Sequence, residues 1–359
     1  MFRRTCHALK PGADRSGGRP TVLIILMGSM GDVIRGLALA SQLKAACPQM
    51  RLTWLVEPSW RPLVAAHPGI DEVLVFDRPR GLAAAWELRG QLSRRAFDLT
   101  LDLQRHFKSG CFSWFSGARR RIGFHPRDAK EFNWIFNTEH IPRLGDRISK
   151  LEHYFQFTVH LGIPAPDAPD FGLGPLASRP LVPDLQDRLP QRYVAVVMGS
   201  SWPSKDWVYE GYADLVRRIG TRTDLGVVLV GDRSQQAAAA RLSADVGLER
   251  LVNLAGATDL IALAGVLGRA AAAVGPDSGP GHLAAAVGTP YVALFGPTRP
   301  ERVAPYGCEH LVVRAPSGCR DCYKKRCRQP QRLCMQTITA AMVFERLTDV
   351  LTAGRLTPG

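Results

Sequence analysis

The chain has 359 residues, 46% hydrophobic and 22% charged, with a formal net charge of +14 at neutral pH. The length suits two domains of ordinary size, and the composition is that of a globular chain rather than a disordered or membrane-spanning one. The basic balance favours an acidic partner (nucleic acid, an anionic membrane surface or a phosphorylated substrate), with solubility as the plainer explanation of the same charge.

Residues 1–19 carry Arg3, Arg4, Lys10, Arg15 and Arg19 without an apolar stretch. They read as a disordered head rather than a secretory signal, and a cytoplasmic chain is expected. The apolar run Val22–Met27 reads as a strand feeding the turn Gly28-Ser29-Met30-Gly31-Asp32 and a helix over Val33–Ala46. Further strands are expected at Arg51–Val56, Glu72–Phe76 and Asp98–Asp102, alternating with helices near Arg61–Ala66 and Leu82–Arg94. Such alternation predicts parallel βαβ units. Residues 104–150 break it: Arg105, His106, Lys108, Arg119, Arg120, Arg121, Arg127, Lys130 and Arg143 are interleaved with Phe and Trp. They read as a long basic, functional insertion.

Seven prolines between positions 164 and 190 mark a linker. The pattern then restarts, with strands at Tyr193–Met198, Gly226–Val230, Ala270–Val274 and Tyr291–Phe295. Helices are expected at Tyr209–Gly220, Gln235–Val246, Asp259–Gly268 and Gly281–Val287, and an amphipathic helix, Ile338–Leu351, closes the chain. No window approaches the ~20 apolar residues of a spanning helix. The expected organisation is an N-terminal domain over 20–175, a linker over 176–190, a C-terminal domain over 191–337, and a helix and tail over 338–359. The fold class is α/β, two Rossmann-like doubly wound domains facing across a cleft.

Glycine-rich turns between strand and helix let a ligand approach the backbone, where free amides favour a phosphate. One such turn in each half, each with a carboxylate, points to a site between two domains. Asp32 reads either as a helix N-cap, which Asp often fills, or as a general base. The turn Gly199-Ser200-Ser201-Trp202-Pro203-Ser204-Lys205 offers hydroxyls, amides and one ammonium to a diphosphate. It is not a Walker A loop, and alone it would pass for an ordinary proline-containing loop. Asp277-Ser278-Gly279-Pro280-Gly281-His282 adds a carboxylate, a hydroxyl and an imidazole within six residues.

Taken as an ordered set, these motifs resemble the heptosyltransferases of glycosyltransferase family 9, which have the GT-B fold. Ser29-Met30-Gly31-Asp32-Val33-Ile34 is similar to the family's first loop. Leu101-Asp102-Leu103-Gln104 with Lys108-Ser109, and Gly117-Ala118-Arg119-Arg120-Arg121-Ile122-Gly123-Phe124, resemble its acceptor-domain signature. Gly199-Ser200-Ser201-Trp202 with Lys205 and Trp207 resembles the donor-phosphate loop, and 277–282 with Leu294-Phe295-Gly296-Pro297-Thr298 the donor signature.

The resemblance implies inverting transfer of heptose from ADP-heptose to the lipid A–Kdo inner core of lipopolysaccharide, without a catalytic cofactor or metal. Asp32 and Lys205 would be catalytic. Gly31, Gly199, Ser200, Ser201, Asp277, Ser278, Gly279 and His282 would hold the donor. Trp60, Arg61, Gln104, Lys108, Arg120 and Arg121 would face the anionic acceptor, at the cytoplasmic face of the inner membrane. The sequence departs from the pattern at Gly231-Asp232-Arg233, where an acidic donor contact is common, and at Asp206, where a bulky or basic residue is common.

Cys319, Cys322, Cys327 and Cys334 fall within sixteen residues among six Lys and Arg. Four soft ligands at this spacing could hold structural zinc or iron; the Cys-x2-Cys pair is the strong element, and the other spacings match no standard zinc finger. The cluster inclines the reading toward the second-heptose type of transferase. Other readings are a family 9 transferase with a different sugar or acceptor, and a metal-containing basic nucleic-acid-binding protein. A nicotinamide-dependent oxidoreductase is disfavoured, because Gly-x-Gly-x-x-Gly is missing despite Glu57 after the second strand.

Overall fold

The computed structural model describes residues 19–316, 318–329 and 332–353. The head expected to be disordered lies outside the described residues, Arg19 apart, as does the tail after 353. The chain divides by its packing into two compact units, Met1–Leu173 and Gly174–Gly359.

The first unit runs β1 (Thr21–Ile25), α1 (Met30–Ala46), β2 (Arg51–Val56), α2 (Arg61–Ala66), β3 (Glu72–Val75), α3 (Gly81–Ser93) and β4 (Leu99–Asp102). It continues with α4 (Phe107–Phe115), β5 (Arg120–Gly123), β6 (Glu139–His140) and α5 (Lys150–His160). The strands form one parallel sheet in the order β3-β2-β1-β4-β5-β6. Central strands covered on both faces read as apolar runs; β1 does so over Val22–Ile25, and β2 does so apart from Arg51 and Thr53. Helix α1 lies close to the sheet at Gly36, where a Cβ would come 2.6 Å from the Leu26 side chain and 2.9 Å from Trp54.

Residues 104–150 are not an insertion. They supply α4 and two further parallel strands, β5 and β6, that extend the sheet. The expectation failed because β5 has four residues, two of them Arg, and β6 has two. Strands that short carry no period-2 signal.

The segment expected as a linker is folded into the second unit. It holds a 3-10 turn, Gly174–Leu176, and the short helix α6 (Pro183–Arg188), and it buries Leu176, Leu181 and Leu185. There follow β7 (Tyr193–Val197), α7 (Tyr209–Arg222), β8 (Gly226–Val230), α8 (Gln236–Val246), β9 (Leu251–Asn253), α9 (Leu260–Arg269) and β10 (Ala272–Pro276). The unit ends with α10 (Gly279–Ala286), β11 (Tyr291–Phe295), α11 (Pro300–Val303), β12 (Val312–Arg314), α12 (Leu333–Gln336) and α13 (Ala340–Ala353). Its parallel sheet has the order β12-β11-β10-β7-β8-β9. Read from β9, this is the same winding as in the first unit.

Each sheet therefore reverses direction of growth once, between β1 and β4 in the first unit and between β7 and β10 in the second. In open α/β sheets, ligands bind outside the carboxyl ends of the strands at this reversal. The two glycine turns follow β1 and β10, and the Ser200–Lys205 loop follows β7.

Candidate functional site

In the first unit, the loop after β1 is fastened to the loop after β4. Gln104 Oε1 accepts the Met27 amide at 2.8 Å, so Gln104 shapes the turn that presents Ser29 to Asp32. Ser29 occupies the N-cap position of α1, so Asp32 is not the cap. Asp32 lies in the first turn of the helix, where a negative charge is favoured by the helix dipole.

Ser29 Oγ donates to Asp32 Oδ2 at 3.0 Å, while Oδ1 accepts from Arg35 Nη1 at 3.0 Å and Lys150 Nζ at 2.8 Å. The Asp32 side chain is 18% exposed. Burial alone would push its carboxyl up. The Lys150 ammonium and the Arg35 guanidinium more than reverse this and hold it well below the ordinary carboxylate range. Lys150 is itself pushed down by burial, partly offset by Asp32.

Sequence reasoning missed Lys150. A signal was present: Ser149 and Glu152 form a capping box that starts α5 and puts Lys150 in its first helical position.

The remaining residues expected at the acceptor lie in the same unit. Trp60 is half-buried and Arg61 exposed, just beyond the carboxyl end of β2. Lys108 is exposed, with Nζ 5.1 Å above the Phe76 ring. Arg120 grips Glu139 through two bonds of 2.7 and 2.9 Å, tying β5 to β6. Arg121 donates to the carbonyls of Phe136 and Ala118 at 2.8 and 2.6 Å. Both guanidinium groups are thus engaged within the unit. Asp102, in the same motif as Gln104, is fully buried and pushed up by burial, against bonds from Asn133 at 2.6 Å and Ser109 at 3.1 Å. It pins the start of α4.

In the second unit, the loops after β7 and β10 meet. Lys205 Nζ lies 2.7 Å from Asp277 Oδ2 and 4.5 Å from the Trp202 ring centre. Thr298 Oγ1 donates to the same Asp277 oxygen at 2.7 Å. Asp277 is only 5% exposed, so the pair sits at low dielectric.

Next to it, Ser278 is the N-cap of α10, with Oγ buried and without a hydrogen-bond partner. Gly279 opens the helix, and His282 is buried in its first turn. Gly281 serves packing: a Cβ there would come 2.4 Å from the Tyr291 ring. Gly199 lies under the Gln235 side chain, and Ser201 is exposed.

The two departures from the family pattern have internal work. Asp206 Oδ1 accepts both the amide and the hydroxyl of Ser200, at 2.7 and 3.0 Å, and so braces the loop. Asp232 caps the turn at Arg233–Gln235, in a capping box with Gln235.

Cys319, Cys322, Cys327 and Cys334 carry free thiols. Cys334 is pushed up to about 11 by burial and by the nearby thiols of Cys319, Cys327 and Cys322. Among the described residues, no three His, Cys, Asp or Glu side chains are placed to hold one metal ion.

A sequence profile of glycosyltransferase family 9 (heptosyltransferase) matches residues 85–332. The chain is 27% identical to the lipopolysaccharide core heptosyltransferase OpsX of Haemophilus influenzae, over 82% of this chain and 84% of that protein. It is 26% identical to lipopolysaccharide heptosyltransferase 1 of Pseudomonas aeruginosa, over 92% and 98%. In structure it is similar to the E. coli heptosyltransferase WaaC with ADP, with a TM-score of 0.75 and 22% identity over 92% of this chain and 99% of that one.

Proposed function

The chain belongs to glycosyltransferase family 9, and from that premise we propose that it transfers heptose, with inversion, from ADP-heptose to the inner core of lipopolysaccharide. The observation that carries this reading is the cluster at the β7/β10 reversal: Lys205 against Asp277 at 2.7 Å, beside Ser278 at the N-terminus of α10. An ammonium, a spare hydroxyl and free helix amides are the groups a nucleoside diphosphate needs.

In the proposed reaction, the Asp32 carboxylate takes the proton of the acceptor hydroxyl. That oxygen bonds to the anomeric carbon of the heptose as the bond to the diphosphate breaks. ADP leaves, and its charge is met by Lys205 and the start of α10. All steps use side chains and backbone amides. The cysteine segment is assigned a structural role, and no step is routed through it. Trp60, Arg61 and Lys108, at the carboxyl edge of the first sheet, are proposed to meet the acceptor's anionic groups.

No helix among the described residues is long and apolar enough to cross a membrane. We place the protein at the cytoplasmic surface of the inner membrane, where its lipid-linked acceptor is presented.

The test is thermal stability with ADP, ADP-heptose, UDP, GDP and NAD. A ligand that binds the native state raises the melting temperature by mass action. ADP should raise it, and ADP-heptose more. A rise confined to UDP or GDP would change the donor, and no rise with any of them would overturn the reading. Turnover on Kdo–lipid A with and without a first heptose then assigns the acceptor.

A further inference from the structure

The first unit exposes large apolar side chains that its fold does not use. On α3, Leu82 is 89% exposed and Trp86 71%; on α4, Trp114 is 58% exposed; and in the loop before the 3-10 turn Asn133–Phe136, Phe132 is 72% exposed.

These residues form a connected surface. The Arg89 guanidinium sits 4.8 Å from the Trp86 ring and 5.5 Å from Phe115, bridging α3 to α4. Phe115 in turn lies 5.3 Å from Trp114. Phe107, two helical turns before Trp114 and on the same face of α4, stands edge-on to Phe136 at 5.1 Å.

Phe132 is held out by backbone strain. Glu131 and Phe132 have φ of 51° and 56°, a left-handed conformation that bulky residues rarely adopt. Glu131 is anchored in it by the His106 ring and the Phe107 amide, each at 3.2 Å. Strain of this kind persists where the surrounding structure imposes it, and it marks functional segments.

Exposed cations neighbour these residues in the chain: Arg78 lies four residues before Leu82, Lys108 follows Phe107, and Lys130 lies two residues before Phe132. In parallel βαβ units each helix starts at the carboxyl edge of the sheet, so Leu82, Phe107 and their neighbouring cations lie on the edge that carries Asp32.

We propose that this surface, α3, α4 and the Phe132 loop, docks the protein onto an anionic bilayer. The aromatic and aliphatic side chains would enter the headgroup boundary while the neighbouring cations meet lipid phosphate. The membrane placement given above is thereby assigned to named residues. An acceptor saccharide rising from the bilayer would then emerge at the sheet edge that holds Asp32. The inference rests on the proposed function only for its purpose. Vesicle binding is read without turnover, so either can fail while the other stands.

The experiment is co-sedimentation of the full chain at physiological salt. One set of vesicles contains phosphatidylethanolamine and phosphatidylglycerol, and the other phosphatidylcholine alone. Wild type should pellet with the anionic vesicles. The triple variant Leu82→Ser, Trp86→Ser, Phe132→Ser should pellet at least tenfold less, with its melting temperature and its response to ADP unchanged. Arg78→Glu with Lys130→Glu, which leaves the apolar residues in place, should lose binding to anionic vesicles. Val182→Ser, at an exposed apolar residue of the second unit, should pellet like wild type.

Equal pelleting of wild type and both patch variants would overturn the proposal, as would wild type remaining in solution. So would a wild-type dimer that the triple variant abolishes while pelleting is unaffected, which would make the patch a self-association surface.

Discussion

Asp32 shares one oxygen with two cations, Arg35 and Lys150, and both bear on what it can do as a base. They keep it ionised throughout the neutral range, ready to accept a proton, but they also weaken its basicity. Asp32→Ala should retain ADP binding and lose about two to four orders of magnitude in kcat, the usual worth of a general base; near-normal turnover would leave Asp32 a structural residue.

Lys150 acts through Asp32. Lys150→Met removes a positive charge from a buried carboxylate, so the Asp32 pKa must rise. The acid limb of kcat/KM should then move to higher pH, and Lys150→Arg should restore it. A purely structural Lys150 would lower the melting temperature and leave the limb in place. The role of Asp32 as a candidate was legible in the sequence from the turn that holds it. The partnership with Lys150 was not, because the two positions are 118 residues apart.

At the scale of elements, the strand-to-helix turns were legible, but the reason for their glycines was only partly so. Gly281 belongs to a turn read as open to phosphate, yet its missing side chain makes room for Tyr291, whose hydroxyl donates to the Pro276 carbonyl at 2.8 Å. Gly281→Ala forces a methyl into ring atoms 2.4 Å away. It should destabilise the protein by about 1–3 kcal/mol, as overpacking does, measured by urea unfolding. An unchanged midpoint would show that Tyr291 can move aside.

Burial on both faces makes a central strand largely apolar, and so β1, β2, β7 and β8 could be read directly. Very short strands toward the sides of the sheets carry a weaker signal. β5, β6, β9 and β12 have two to four residues each and escaped notice. Their absence turned residues 104–150 into an apparent insertion.

Acid stability belongs to the whole molecule, and three buried or half-buried groups set its course. His67 is 2% exposed; its Nδ1 accepts the Gly69 amide at 3.0 Å and its Nε2 lies 2.9 Å from Ser41 Oγ, which fixes the neutral ring. Burial pushes its pKa down from 6.5 to about 4. A depressed histidine stabilises the fold fully above the unfolded pKa and loses that contribution as pH falls toward the folded one. The loss, of order 3 kcal/mol, should spread between pH 6.5 and 4. Glu139 is pushed down to about 2, chiefly by its bonds to Arg120, and Asp32 is depressed by Lys150 and Arg35. Their contributions hold above the ordinary carboxylate range and are lost below it. The melting temperature should therefore fall in two stages on acidification, and His67→Asn should remove the first; a wild-type profile flat from pH 6.5 to 4 would contradict this.

The sequence by itself determined the class of fold, the two α/β units, the turns that hold Asp32, Lys205 and Asp277, and the family, because each depends on patterns local to a few dozen residues. Tertiary structure decided the rest. It set the strand order that puts those turns at the two reversals, the pairing of Lys205 with Asp277 across 72 residues, and the grip of Lys150 on Asp32. It also engaged Arg120 and Arg121 as internal ties. The physical reason is common to all four: side-chain partners in a parallel sheet come from separate βαβ units. Each crossover separates them by tens of residues, and no local periodicity records which ones will meet.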